Sequence, residues 1–367
     1  MNFLKYGNRV TVKTMDRRKF FISTALAGGS IAAFPSCKSE SNNVKKTSQE
    51  EAIEKTRRAM FSMQRASWEH GVAAQAMLEL GDNEMVYLMA KEAVLRQRED
   101  GRLSVVYTDN GVTDPAAAGE VVLKAYEMTK EEDLKAAADR MLDWLLIKAP
   151  RNKEGTLYHT MNSPEIWSDA MYMAPPFIAA AGKYTEAIAQ IEGFRKALWN
   201  TNDKLFSHRW HDIEQKFISK RYWGGGNGWA AACYARVIRL LPDAMAEEKQ
   251  RLINYHRELL EGCLAHFRPD GFFHDYVNEP ETFIETNLGQ MLGYSIYRGV
   301  KGGWLDQTYL NQADMMRQAA YSKMDEHGYI TGAAGAPSFD HPGRSTEAQA
   351  FFLLMEAAYN DLNRKKL

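Results

Sequence analysis

Five short segments of the chain repeat one pattern: a small turn-forming residue, an apolar pair and, often, a histidine. Internal repetition of this kind constrains architecture before any single motif does. The segments are Gly101-Arg102-Leu103, Gly155-Thr156-Leu157-Tyr158-His159, Leu205-Phe206-Ser207-His208, Gly271-Phe272-Phe273-His274 and Gly328-Tyr329-Ile330. His159, His208 and His274 fall 49 to 66 residues apart, about the length of one αα-hairpin with its loops. Between the loops no sustained period-two alternation appears, and Ala, Leu, Met and Glu dominate, all good helix formers. Helices are expected over 49–65, 70–80, 84–98, 116–128, 131–147, 167–181, 183–198, 226–241, 246–267, 286–299, 304–323 and 345–362. Twelve helices make six hairpins, so the expected fold is all-α, an (α/α)₆ barrel spanning 49–367 as one domain. An open solenoid of helix pairs is the alternative. Closure is favoured because the aromatic loop residues then share one place to point.

Charge excludes one class of partner. With 46 Lys plus Arg against 47 Asp plus Glu, the chain lacks the basic excess that binding to phosphate backbones requires, so no nucleic acid is expected. The 45% apolar content also excludes general disorder. The three cysteines, Cys37, Cys233 and Cys263, have no CxxC spacing, so neither a thiolate zinc site nor a disulfide framework is indicated. No histidine–carboxylate spacing resembles a ligand set, and no metal or organic cofactor is expected.

Residues 1–37 read as an export signal. Asp16-Arg17-Arg18-Lys19 precedes an apolar run, Phe20 to Phe34, too short to span a membrane as a mature helix. The paired arginines resemble a twin-arginine signal, and Met15 just before them is an alternative start. Cys37, followed by the polar stretch 38–48, suits a lipid-modified cysteine with a tether, although Phe34-Pro35-Ser36 is a poor lipobox. The expected location is the periplasm, or the cell envelope of a bacterium by a lipid anchor.

Tryptophan and tyrosine, 8 and 17 in number, cluster beside polar residues in loops. The clusters are Trp68-Glu69-His70-Gly71, Trp167-Ser168-Asp169, His208-Arg209-Trp210-His211-Asp212 and Tyr222-Trp223-Gly224-Gly225-Gly226-Asn227-Gly228-Trp229. An aromatic face with hydrogen-bonding neighbours suits a sugar ring, whose C–H face is apolar and whose hydroxyls need partners. Any one such Trp is more often a core anchor, but four clusters in one chain favour an oligosaccharide site. The glycine-rich stretch lacks the Lys-Ser/Thr of a P-loop and the preceding strand of a Rossmann turn, so it reads as a packing turn or a sugar-facing loop.

Asp169 precedes an apolar stretch, Ala170 to Pro176. As a helix N-cap it would accept backbone N–H bonds; as a catalytic acid it would need apolar neighbours, such as Trp167, Met171, Tyr172 and Met173, to favour its protonated form. The residues alone leave both readings open.

Taken together, Trp68-Glu69-His70-Gly71-Val72, His159, Trp167-Ser168-Asp169, His208-Arg209-Trp210, Trp223-Gly224-Gly225-Gly226-Asn227-Gly228-Trp229 and Gly343-Arg344-Ser345-Thr346-Glu347-Ala348-Gln349-Ala350-Phe351-Phe352-Leu353 resemble glycoside hydrolase family 105. These are the unsaturated rhamnogalacturonyl hydrolases, related to the unsaturated glucuronyl hydrolases of family 88. The resemblance runs from about residue 50 to the end and implies an (α/α)₆ barrel. It also implies a glycosidase that removes a 4,5-unsaturated uronic acid from the non-reducing end of lyase-generated oligosaccharides by hydrating the C4–C5 double bond. Carried over residue by residue, Asp169 is the acid. Asp114, in Val112-Thr113-Asp114-Pro115, is the second carboxylate, although Asp before Pro is also a common helix start. Trp68, His159, Trp167, His208, Trp210, Trp223, Asn227, Trp229 and Arg344 would contact the sugar. Many members of the family carry arginine where this chain has Gly225, and Arg221, Arg209 or Arg344 are the candidates to replace it. Two other readings remain: an inverting glycosidase or a lyase on the same fold, and a carbohydrate-binding surface protein without catalysis.

Overall fold

The computed structural model describes residues 48–106, 109–335 and 338–364. The expected export signal, Cys37 and the tether up to residue 47 lie outside the described residues. Lys46–Leu367 forms one compact unit.

Each expected helical stretch contains helix, and the burial pattern sorts the helices into two sets. One set is Ser67–Leu80, Gly119–Thr129 with the 3₁₀ turn Asp114–Ala118 ahead of it, Ala170–Met173 with Pro175–Ala180, Gly224–Leu240, Asn287–Lys301 and Thr346–Asn363. Most of these helices are buried on nearly all sides, as Asn287–Lys301 is at every residue from Asn287 to Gly299, while Gly119–Thr129 buries Gly119, Val121, Val122 and Ala125. A helix apolar and buried all round belongs in an interior. The other set is Ser48–Phe61, Asn83–Leu95, Glu132–Asp143, Tyr184–Leu198, Ala246–Leu264 and Leu310–Ser322. These bury one stripe each, such as Val86, Met89, Ala90 and Ala93, or Leu134, Ala137, Ala138 and Met141. That i, i+3, i+4, i+7 spacing is one face of a helix.

The inner helices pack on one another in chain order, and the last, Thr346–Asn363, packs on the first, Ser67–Leu80, so the ring closes. The fold is an (α/α)₆ barrel, and the open solenoid is excluded. The helix expected over 167–181 is split at Ala174 because Pro175 and Pro176 have no amide hydrogen to continue it; they occupy the first positions of the next helix instead. None of the described helices is long and apolar enough to cross a membrane.

The repeated loops share one backbone geometry. Gly101, Gly155, Gly271 and Gly328 all have φ between +85° and +110°, which an L side chain rarely adopts. In each turn the glycine amide donates to the carbonyl three residues back, at 3.0 Å in all four. The second residue after the glycine, Leu103, Leu157, Phe273 or Ile330, is fully buried. The fifth turn puts Lys204 at φ 53° in the glycine's place, with Phe206 buried after it. Amide side chains latch three turns to neighbouring helices. Gln190 bonds Leu157 N, Asn227 bonds Phe206 N, and Gln349 bonds Ile330 N, at 2.8–2.9 Å.

Toward the far ends of the inner helices lies a buried charge network. Arg236 pairs with Glu120, and Arg298 pairs with Glu79 and, at 2.7 Å, with Asp361. Burial opposes ionisation of Glu79, but Arg298 and Arg239 hold its carboxyl below the usual range.

Candidate active site

Trp68, Asp114, Asp169, Trp223 and Glu347 each stand at or beside the start of a different inner helix. With His159, Trp167, Met173, His208, Trp229, Tyr276, Phe339 and Asp340 they line a cavity of about 330 Å³. The turns deliver its histidines: His159 and His208 are each the fourth residue after the left-handed position, at Gly155 and Lys204. Short strands hold the wall in place. Glu165–Trp167 pairs with Arg209–His211, Trp167 opposite Arg209, and the backbone N–H of Ser168 donates to the His208 carbonyl at 3.0 Å.

The aromatic wall is continuous. His159 stacks on Trp167 with centroids 4.3 Å apart, Trp167 meets His208 edge-on at 5.6 Å, and His208 packs on Trp223 at 4.8 Å. Trp167 donates its indole N–H to Glu165 at 2.8 Å, and the Arg209 guanidinium lies 4.1 Å from its ring. Burial holds His208 neutral, its pKa lowered to about 4 although the charge of Asp169 opposes this.

Two carboxyl groups bracket His159. Its Nδ1 is 3.8 Å from Asp114 Oδ1 and its Nε2 is 3.9 Å from Asp169 Oδ2. Burial pushes the Asp114 carboxyl up to about 7; His159 opposes the shift, and the charges of Asp169, Asp109 and Glu347 add to it. The capping readings do not describe either residue. Asp169 sits at the N-cap of Ala170–Met173 but its side chain accepts no capping bond, and Oδ1 is buried without a protein partner. Asp114 is the first residue of its 3₁₀ turn, whose N-cap is Thr113.

Three of the expected contact residues are placed elsewhere. Trp210 packs edge-on against Phe217 at 4.9 Å and does not line the cavity, because side chains alternate along its strand and Arg209 takes the face toward Trp167. Asn227 is fully buried and spends its amide on the backbone of Phe206 and Trp223. Arg344 is half-exposed, bonded to Asp325 at 2.8 Å and set over the Tyr329 ring. Trp68, Asp114, His159, Trp167, Asp169, His208, Trp223 and Trp229 do converge on the cavity. At Gly225 an added Cβ would lie 2.5 Å from the Trp223 ring, so this glycine is what lets the indole fold back over its own helix start.

The sequence reading missed other groups. Glu347, named there only within a motif, accepts a hydrogen bond from Trp68 Nε1, and burial raises its pKa. Tyr276, Phe339 and Asp340 complete the lining. Asp275, not His274, is the fourth residue after Gly271 and so shares the register of His159 and His208, although it does not line the cavity. His274 bonds the Thr282 carbonyl and Arg268 instead. Burial, helped by the charge of Glu285, raises Asp275 to about 7.

Comparison with known proteins agrees with this geometry. Residues 38–356 match the signature of Glycosyl Hydrolase Family 88. An unsaturated rhamnogalacturonyl hydrolase, YesR, of Bacillus subtilis is 27% identical over 238 residues, 60% of this chain and 67% of the relative. An unsaturated 3S-rhamnoglycuronyl hydrolase of an Alteromonas species is 27% identical over 253 residues, 63% of this chain and 59% of the relative. Among solved structures, a possible member of family GH105 from Salmonella enterica superposes with a TM-score of 0.75 at 16% identity, covering 85% of this chain and 93% of that one.

Proposed function

The chain belongs to glycosyl hydrolase family 88 and is a glycosidase, and from that premise we propose that it removes a 4,5-unsaturated uronosyl residue from the non-reducing end of oligosaccharides left by polysaccharide lyases. Rhamnogalacturonan or pectin-type fragments are favoured, in keeping with the activities named for its relatives. The observation that carries the reading is the pair of aspartates on either side of His159 inside a cavity walled by tryptophan.

In this mechanism Asp169 delivers a proton to C4, and positive charge develops at C5 and the ring oxygen. Water adds at C5 and returns a proton to the Asp169 carboxylate. The C5 hemiketal opens to a ketone and frees the ring oxygen as a hydroxyl on C1; that hemiacetal then expels the leaving sugar as an alcohol. One water is consumed, and one carboxyl group serves both proton transfers. Asp114, across His159 from Asp169, stays protonated up to about neutrality, and the carboxylate left on Asp169 after the transfer steadies the charge formed at C5. A groove that shares Trp68, Asp114, His159 and Trp167 with the cavity leads away past Asn110 and gives room for the rest of the oligosaccharide.

The test follows the ultraviolet absorbance of the conjugated uronate as protein is added to lyase-treated rhamnogalacturonan and glycosaminoglycan fragments. Absorbance should fall with the wild type and stay constant with Asp169→Asn, whose circular dichroism should match the wild type. Constant absorbance with every unsaturated fragment would favour a binding protein or an ordinary glycosidase.

For residues 1–37 we propose an export signal, supported by Arg17-Arg18 ahead of the apolar run. Cell fractionation with and without the Arg17-Arg18 pair tests export, and mass spectrometry at Cys37 tests lipidation.

A further inference from the structure

Resting on the function proposed above, we infer that the unsaturated end this cavity takes is uncharged at C6, a hex-4-enuronosyl methyl ester in place of the free carboxylate. Four carboxyl groups, Asp114, Asp169, Asp340 and Glu347, line the cavity, and among the described lining residues there is no Lys or Arg. The guanidinium groups on nearby segments are committed elsewhere: Arg209 to Glu165, Arg221 to Glu279, Arg344 to Asp325, and Arg65, beside the adjoining groove, to Glu69. At Gly225 there is no side chain, and the Trp223 indole covers the place one would occupy.

The backbone donors at two of the helix starts around the cavity are also engaged. Glu285 accepts from Asn287 N and Leu288 N at 2.8 Å, and Ser345 Oγ accepts from Ala348 N at 3.1 Å. A sugar carboxylate entering this space would leave its hydration shell without a lysine or arginine to take the place of the lost water. An ester makes no such demand. It also withdraws electrons from C5, so the cation formed on protonation at C4 needs outside support, and the carboxylate that Asp169 becomes on giving up its proton supplies it.

The experiment uses one oligosaccharide preparation in two charge states: unsaturated fragments released from methyl-esterified pectin, before and after removal of the ester by an esterase. The value of kcat/KM should be about tenfold or more higher for the ester, the size expected of one desolvated charge left unpaired. Equal or faster turnover of the free acid overturns the inference and leaves the proposed function standing. Turnover of neither form overturns both. Phe339→Arg, at the exposed rim against Trp223, keeps the idea falsifiable from the other side. It should move the preference toward the free acid by fivefold or so, and an unchanged preference counts against the charge argument.

Discussion

The imidazole of His159 lies nearly flat on the indole of Trp167, with planes 20° apart and centroids separated by 4.3 Å. That contact fixes the direction of both ring nitrogens, one toward Asp114 and the other toward Asp169. Trp167→Leu should therefore let the imidazole turn and lower kcat by about 10- to 100-fold, the usual cost of small misplacement at a reacting centre. The rise in KM should be smaller. Steady-state kinetics on an unsaturated disaccharide checks the split; a loss confined to KM would make Trp167 only a platform.

Activity should decline as pH rises above about 7, because Asp114 gives up its proton there and becomes an anion beside His159. Asp114→Asn should remove or displace that limb in a plot of kcat/KM against pH.

The same proton affects stability. An unfolded aspartate releases its proton near pH ~4, whereas folded Asp114 keeps it to about 7. Between those values the native state binds more protons, so this group's contribution is present at low pH and is lost as pH rises through the window, by at most ~1.4 kcal/mol per unit. Urea denaturation at several pH values should show a shallower decline for Asp114→Asn than for the wild type.

Gly225→Ala should push the Trp223 ring away from His208, since the new methyl would sit 2.5 Å from the indole. A loss of about 100-fold in kcat/KM is expected without loss of helix content in circular dichroism. An unchanged kcat/KM would mean that the ring adjusts without consequence for the sugar.

Arg298→Met, at the far end of the inner helices, should act on stability instead of catalysis. It strands the buried Glu79 carboxylate with Arg239 as its remaining ion-pair partner, at a cost of about 3 kcal/mol. Chemical denaturation should report that loss, with KM for the oligosaccharide unchanged.

Much of the ring was legible because its elements obey local rules. The glycines at 101, 155, 271 and 328 announce turns whose φ few other residues tolerate, and the stretches between them carry helix formers throughout. The turn at Lys204 kept its apolar pair but hid its left-handed residue, since lysine carries no such signal. His274 repeats the histidine of the other turns but not its register, since the fourth residue after Gly271 is Asp275. Asn227 and Trp210 sit in motifs rich in sugar-binding residue types, and only the fold shows that one is tied to the Phe206 backbone and the other is packed on Phe217. Phe339 and Asp340 reach the cavity from a strand pair, Ala333–Gly335 with Ser338–Gly343, that helical periodicity does not announce.

The common turn has an evolutionary consequence. Because the fourth residue past the left-handed positions at Gly155 and Lys204 reaches the cavity from the same turn, those two positions act as interchangeable sockets, holding His159 and His208 here. A single codon change at one socket alters the chemistry presented to a guest while every helix and every amide latch stays as it was, so related rings can diverge in diet without first having to diverge in shape.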